Sequence, residues 1–553
     1  AAFKRLDQVL EKYRSQLPQP AARPGGLTQR DAILITYADQ IQNPGAPSLR
    51  TLADFCERHL KGVVSGVHIL PFYPWSSDDG FSVIDYRVVD ARYGDWEDIR
   101  NLGKYFRLMF DAVINHISIG SAWFKGLLHG DERFRDFFVV PAQDADLTRV
   151  VRPRALPLLT TFSSHQGELK IWTTFSADQA DLNYANPQVL LEIVDLLLFY
   201  ASQGAEFIRL DAIAYLWKEA GTPSIHLPQT HWVIQLFRAV LDEVAPHVML
   251  ITETNVPHID NISYFGDGTN EAQLVYNFSL PPLVLHAFQT GSAETLTRWS
   301  AGLELPSRNV TFFNFLASHD GIGLNPLRGI LDEAEIEAVV NRVEAHGGLV
   351  SFKSGTDGAR LAYELNVNYF DALNDPHADQ DVDYQIERFV TAHAILLALA
   401  GVPGIYFHSL VGSRGWPEGV TQTGHNRSIN RRKFRKDELE SSLADPAARP
   451  ARVLERLSHL LSVRAERAAF DPYGSQQVAQ CPPAVFGLLR VSPDGRDRAL
   501  CLHNVGSRIE EIDARHLKLL GNPSKAVRDL LTDEVVAPDK PVAILPFHTL
   551  WLA

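Results

Sequence analysis

Cysteine is scarce in this chain: its 553 residues contain three, Cys56, Cys481 and Cys501. They stand far apart, show no metal-type spacing, and cannot all pair within one chain. That excludes a disulfide framework as the organiser of the fold and points to a reducing cytoplasm. Long apolar runs are missing too. Stretches such as Ala394-Ile395-Leu396-Leu397-Ala398-Leu399-Ala400 are too short to cross a bilayer, so no membrane partner is expected. The N-terminal segment Ala1 to Tyr13 interrupts its apolar positions with charges. It reads as a short amphipathic helix rather than a signal peptide. Basic charge is in deficit, with 52 Lys and Arg against 66 Asp and Glu and a net charge of −14. A general nucleic-acid binder needs a basic surface and is excluded. An anionic small substrate is not, because local arginines override the global field. No low-complexity segment or solenoid repeat is present, and no metal site is expected.

What remains is ordinary for a soluble enzyme: 45% hydrophobic and 21% charged residues. The length exceeds one compact core and predicts a large domain with smaller ones attached. Buried-strand signals recur at Ile33–Ala38, Val67–Phe72, Arg107–Val113, Phe207–Asp211, Val248–Glu253, Leu274–Phe278, Val310–Ser318 and Ile405–His408. Helical patterns separate them, including Leu52–Leu60, Pro187–Gln203, Thr230–Val244 and Gln385–Leu399. Eight strands with interleaved helices predict a (β/α)8 TIM barrel. The expected organisation is an N-terminal helical extension (1–30), with a Pro/Gly-rich link from Pro18 to Gly26. A catalytic barrel follows over 31–116 and 186–470. A small inserted domain (117–185) follows strand three, and an irregular insertion (321–385) follows strand seven. An all-β C-terminal domain (471–553) completes the chain.

Three of these strands end in an acid: Asp211, Glu253, and Asp320 just after Phe312–Ser318. Carboxylates at the carboxyl tips of separate strands predict one active site at the top of the barrel. Arg209 sits two residues before Asp211, hence on the same strand face. A buried arginine needs a partner, which makes a purely structural role for Asp211 the weaker reading. Alone, Asp211 reads equally well as a helix cap. His116 reads as a core histidine, and the pair His319-Asp320 as a turn. Trp75, Phe175, Gln179 and Tyr215 read as rim or core residues. Arg431-Arg432-Lys433 reads as a solvated basic face.

Four blocks, Asp111–His116, Phe207–Asp211, Ile251–Asn255 and Phe315–Asp320, resemble the signature regions of the α-amylase superfamily. Gly66–Phe72, Asp78-Asp79-Gly80-Phe81, Ser318–Gly323 and Arg427–Arg431 are similar to its sucrose phosphorylase branch. Trp75–Phe81 and Thr252–His258 look most like the glucosylglycerate phosphorylases of that branch. Glu253-Thr254-Asn255 and Tyr363-Glu364 stand where sucrose phosphorylases read Glu-Val-His and Tyr-Gln.

The resemblance implies a retaining phosphorylase that moves a glucosyl group from a small α-glucoside to phosphate. Inorganic phosphate would be a co-substrate and no cofactor would be needed; a homodimer is compatible with it. Asp211 is the implied nucleophile, Glu253 the acid/base and Asp320 the third acid. The nucleophile must be ionised, and Arg209 is expected to hold its pKa down; Glu253 needs a raised one. His116 and His319 are implied glucose ligands, and Asp78 and Arg427 an implied pair closing the far end of the glucose pocket. Arg209, Phe175, Gln179, Tyr215 and Asn255 complete the implied substrate site. Arg152, Arg154, Tyr363 and Glu364 are candidates for phosphate or acceptor. A glycerate carboxylate would need one more cation, with Lys218, Arg414 and His226 left open. Competing readings are a sucrose or sucrose 6-phosphate phosphorylase, a plain α-glucosidase, and an inactive amylase-like binding protein.

Overall fold

Eight short strands rich in β-branched and aromatic residues close into a parallel barrel. They are Ile33–Thr36 (β1), Gly66–Ile69 (β2), Arg107–Ala112 (β3), Ala205–Leu210 (β4), Met249–Thr252 (β5), Leu274–Tyr276 (β6), Thr311–Phe315 (β7) and Val402–Tyr406 (β8). Each pairs with its sequence neighbours, and β8 closes on β1 through Ile33 opposite Gly404. The computed structural model describes residues 2–17, 26–154, 156–354, 360–521, 526–537 and 539–553. Most of the expected link from Pro18 to Gly26 therefore lies outside the described residues.

The helices between the strands carry readable signals. Pro187–Ser202 starts with Asn186 accepting from the Gln188 N–H and with Pro at its first position. Val382–Ala398 is buried along almost its whole length. It packs between the barrel and the C-terminal sheet, and Thr391 Oγ1 donates to Phe547 O at 2.6 Å. The second half of this helix is covered on both sides and has no polar face to show, which is why Ala394–Ala398 reads as an apolar run. The N-terminal helix Ala2–Arg14 buries Tyr13 and is tied by Lys12 to Asp195 at 2.9 Å and by Arg14 to Glu243 at 2.6 Å.

Two sequence expectations change. Strand eight begins at Val402, and Phe407–Leu410 is a helical turn rather than strand. The chain passes from the preceding helix into β8 through Gly401 at φ +137°, a conformation that favours glycine, so Val402-Pro403-Gly404 is already strand. The region 321–385 is also not irregular. It holds the helix Glu333–Ala345, opened by an Asp332/Glu335 capping box, and a sheet of Ile322–Gly323, Arg360–Asn366 and Leu349–Ser354. Its strands mix apolar and polar residues because the sheet is half-buried at the mouth of the barrel rather than in its core, so they lack the continuous apolar run of the barrel strands.

After strand three, His116–Ser118 pairs antiparallel with Gln179–Asp181, and Leu159–Ser164 with Gly167–Trp172. At the C-terminus, Ser475–Ala479, Val485–Val491, Arg498–Asn504 and Thr549–Leu552 form a four-stranded antiparallel sheet. Its strands divide between two cores. Phe486, Leu488 and Cys501 join the main core, whereas Val485, Leu500 and Leu502 join a second, outer one. Both faces are covered, so these strands read as apolar throughout.

Arg464 pins the bottom of the barrel. It is 1% exposed and donates to the carbonyls of Leu397, Asp31, Gly401 and Phe470 at 3.0–3.2 Å. These join the entries of β1 and β8 to the segment leading into the C-terminal sheet. Arg464→Met keeps the volume but leaves buried acceptors without donors. We expect a loss of roughly 3 kcal/mol or more, read as a lower urea midpoint; an unchanged midpoint would contradict this account.

Four histidines are buried in neutral form. Burial pushes His319, His408 and His503 down to about 3, and His393 to about 4, from an ordinary 6.5. Below about 6.5 the unfolded chain protonates these rings and the folded chain does not. The unfolded state then binds more protons, so stability falls with falling pH across the window from about 6.5 to 4. The thermal midpoint should drop steadily across it, and His503→Phe should shallow the slope. A flat profile would count against neutral burial.

Candidate active site

Three carboxylates, Asp111, Asp211 and Glu253, converge on one guanidinium, and Asp320 stands above them. Strand register sets Asp111 of β3 directly opposite Arg209 of β4, so both point to the barrel axis at the same level. Arg209, 2% exposed, contacts Asp111 Oδ1, Asp211 Oδ1 at 2.9 Å and Glu253 Oε2 at 3.7 Å. His68 of β2 braces Asp111 from below, Nε2 to Oδ2 at 2.7 Å. Arg209 also lies against the rings of Tyr276 and Phe81. It does not line the cavity. It is buried beneath the acids and touches them instead of a substrate, which corrects its place in the expected substrate site.

The backbone after Asp211 is held in a strained turn. Ala212 has φ +48° and ψ 33°, a left-handed conformation costly for a residue with a Cβ. The turn aims the Ala212 N–H at Glu253 Oε2, 3.0 Å away. Asp211 and Glu253 are thus tied through one arginine and one peptide. Above them, Asp320 lies 2.5 Å from Arg427, and Arg427 grips Glu364 with two hydrogen bonds of 3.1 and 2.7 Å.

The electrostatics depart from expectation at Asp211. Burial pushes it well up, and Glu253, Asp111 and Asp320 add to that push; Arg209 opposes them without prevailing. The arginine is shared among three carboxylates, so it cannot hold one of them down. Glu253 is raised as well, by burial and then by Asp320. Asp320 goes the other way, to about 2, because Arg427, His319 and Arg431 outweigh its burial. The buried pair Asp211 and Glu253 retains a proton where a free carboxyl has lost it.

These groups line a cavity of about 80 Å³. The structure brings Asp78, His116, Phe175, Gln179, Asp211, Tyr215, Glu253, Asn255, His319, Asp320, Tyr363, Glu364, Arg154 and Arg427 to its wall. His116 Nε2 and Gln179 Nε2 both donate to Phe81 O at 2.9 Å, which fixes the turn carrying Asp78. His319 stacks on Phe81 with ring centroids 4.5 Å apart. Tyr215 meets Phe175 edge-on at 5.5 Å, forming an aromatic rim. A second, wider basin of about 1100 Å³ shares the rim residues Asp78, Arg154, Tyr363, Glu364 and Arg427.

Several expected residues sit elsewhere. Arg152 lines neither hollow: Val151 N–H is bonded to Pro223 O, and the chain turns inward only at Pro153 and Arg154. Asp78 and Arg427 do not pair. Asp78 is held by Arg154 at 3.1 Å and Arg431 at 3.5 Å, whereas Arg427 is taken by Asp320 and Glu364. Lys218 is spent on Asp181 at 2.7 Å and Asn115 at 2.6 Å. Arg414 is spent on Asp371 and Gln385, and His226 on Tyr264. None of these three lines the cavity or the basin. Trp75 borders only the basin.

Arg431 and Lys433 of the basic run are no solvated face, although Arg432 between them is exposed. Arg431 is 7% exposed, donates to His319 O at 2.9 Å and reaches Asp78, Asp79 and Asp320. Lys433 pairs with Asp39 at 2.8 Å and Asp79 at 3.6 Å over the Tyr37 ring. Together they stabilise a turn in which Asp78 and Asp79 both have φ +52°. Two adjacent acids with no nearby base were the signal: they require cations supplied from elsewhere in the chain. Among the described residues, no group of three or more His, Cys, Asp or Glu is placed to hold a metal, and no helix is long and apolar enough to cross a membrane.

Comparison with known proteins agrees with this fold. Residues 59–321 match the family model described as alpha amylase, catalytic domain. The chain is 50% identical over 92% of its length to a glucosylglycerate phosphorylase of Spirochaeta thermophila, covering 86% of that protein. It is 51% identical over 92% of its length to one of Allomeiothermus silvanus, covering 90% of it. Its fold is similar to the crystal structure of a sucrose 6F-phosphate phosphorylase from Thermoanaerobacter thermosaccharolyticum, with a TM-score of 0.75, 26% identity, and 88% and 96% of the two chains covered. The chain belongs to the α-amylase family, among its glucoside phosphorylases.

Proposed function

We propose that this enzyme transfers the glucosyl group of glucosylglycerate to phosphate, giving α-glucose 1-phosphate and D-glycerate, reversibly and with retention. The observation that carries the chemistry is the sharing of Arg209 by Asp211 and Glu253. One proton belongs to the pair. Burial raises Asp211 more strongly than Glu253, so attack requires the shared proton to move to Glu253; Arg209, 2.9 Å from Asp211 and 3.7 Å from Glu253, stabilises the Asp211 carboxylate once it has moved.

Asp211 then attacks the anomeric carbon while Glu253 gives its proton to the departing glycerate oxygen. The product is a glucosyl ester on Asp211. A phosphate oxygen attacks the same carbon, the ester bond breaks, and Glu253 accepts a proton from the incoming group. Two inversions give net retention. Asp320, held anionic by Arg427, faces the sugar hydroxyls and the positive charge that develops on the ring. Asp78 with Arg431, and Glu364 with Arg427, close the far end of the glucose pocket. Arg154 and Tyr363, shared by cavity and basin, are the groups we assign to phosphate. The reaction uses no cofactor beyond phosphate, and we place it in the cytoplasm.

The basin's cations also suit the anionic acceptor of a sucrose 6-phosphate phosphorylase, which is the second reading. Purified enzyme should be given phosphate and a panel of glucosylglycerate, sucrose and sucrose 6-phosphate. Glucose 1-phosphate from the first alone supports the proposal. Free glucose formed at the same rate without phosphate would reject phosphorolysis, and product from sucrose 6-phosphate would move the assignment to the second reading.

A further inference from the structure

The basin above the cavity contains six cations, Arg154, Lys353, Arg360, Arg427, Arg431 and Lys433. Four are neutralised: Arg154 by Asp78, Arg427 by Asp320 and Glu364, Arg431 by Asp78, and Lys433 by Asp39. Among the described residues, Lys353 and Arg360 have no carboxylate partner. Arg360 is exposed and lies flat on the Phe352 ring, 3.8 Å from its centroid. Lys353 is half-buried. Among the described residues its hydrogen bond goes to a neutral acceptor, Asn325 Oδ1, at 2.7 Å. An ammonium has three N–H groups, and two of them meet no acceptor among the described residues.

The lysine is placed by more than its own strand. Asn325 Nδ2 donates to Asn255 O at 3.2 Å, and Asn255 lines the inner cavity two residues beyond Glu253. Lys353 Nζ also lies 5.8 Å from the ring centre of Tyr363, which borders both hollows. It is therefore anchored on the side of the cavity where Glu253 meets the leaving group. Burial, and then the charge of Arg328, push its pKa down from the ordinary lysine value. An incoming anion would relieve that penalty.

We propose that Lys353 is a specificity residue that binds the carboxylate of the acceptor half of the substrate, with Asn325 as the group that positions it. This rests on the glucosylglycerate reading above and names the cation that reading needs. A lysine suits the task as a mobile point charge on a small carboxylate, and it leaves Arg427 and Arg431 to the glucose pocket.

The test compares Lys353→Gln with the wild type on glucosylglycerate and on glucosylglycerol, which carries a hydroxymethyl group in place of the carboxylate. The KM ratio of the two donors should shift by about 10- to 100-fold toward the neutral one, the range for losing a charge-assisted hydrogen bond. Lys353→Arg should keep the ratio within a few-fold and serves as the readout if the glutamine variant folds poorly. An equal rise in KM for both donors would assign Lys353 a structural role and overturn the inference. A rise confined to phosphate would assign it the other anion, with the same consequence. A wild type inactive on glucosylglycerate would remove the functional reading itself. An active wild type with an unchanged ratio in the variant would remove only the lysine.

Discussion

Asp211→Asn is expected to lose about 10⁴-fold or more in kcat on glucosylglycerate, the scale seen when a covalent nucleophile is removed. The amide has no charge with which to attack the anomeric carbon, and no glucosyl ester can form. Its fold should not suffer. Asp211 is buried among Asp111, Glu253 and Asp320, whose charges all push its pKa up. Removing one negative charge from that cluster relieves repulsion, while the amide carbonyl can still accept from Arg209. The thermal midpoint of the variant should therefore match or exceed that of the wild type, the usual trade between stability and a strained site. Activity within tenfold of wild type would dismiss Asp211 as nucleophile. A lost activity accompanied by a collapsed midpoint would show that the acid is structural instead.

Glu253→Gln should cost about 10²- to 10⁴-fold on glucosylglycerate, the usual contribution of a general acid. The loss should depend on the leaving group. Glycerate leaves as an alkoxide and needs the proton, whereas α-glucosyl fluoride releases fluoride and needs it far less. The variant should retain most of its glucosylation rate on the fluoride. The substituted side chain would keep a carbonyl oxygen for the Ala212 N–H, which now meets Glu253 Oε2 at 3.0 Å, so the geometry of the turn is preserved. An equal loss on both donors would place Glu253 in positioning and leave the acid unidentified.

Much of this site was legible in the chain because strands have a period of two. That period alone put Arg209 and Asp211 on one face, and apolar runs ending in an acid marked the barrel's upper rim. The hairpin of the 321–385 region was not legible, because half-buried strands at a rim mix polar with apolar residues and lack the buried run that marked the barrel strands. Strand eight was expected to start three residues too late, since Pro403 and Gly404 mask strand character although the closing ladder tolerates both there.

Local periodicity and apolar patterning determined the barrel, its covering helices and the order in which acids reach its mouth; these are properties of neighbours in sequence. Tertiary structure alone decided which cation serves which acid. Arg427 and Arg431 come to Asp320 and Asp78, and Lys433 to Asp39, from hundreds of residues or about a hundred away. Lys218 was claimed by Asp181, and among the described residues Lys353 was left with an amide in place of a carboxylate. Coulomb energy depends on separation in space and on burial, and neither can be read from separation along a chain.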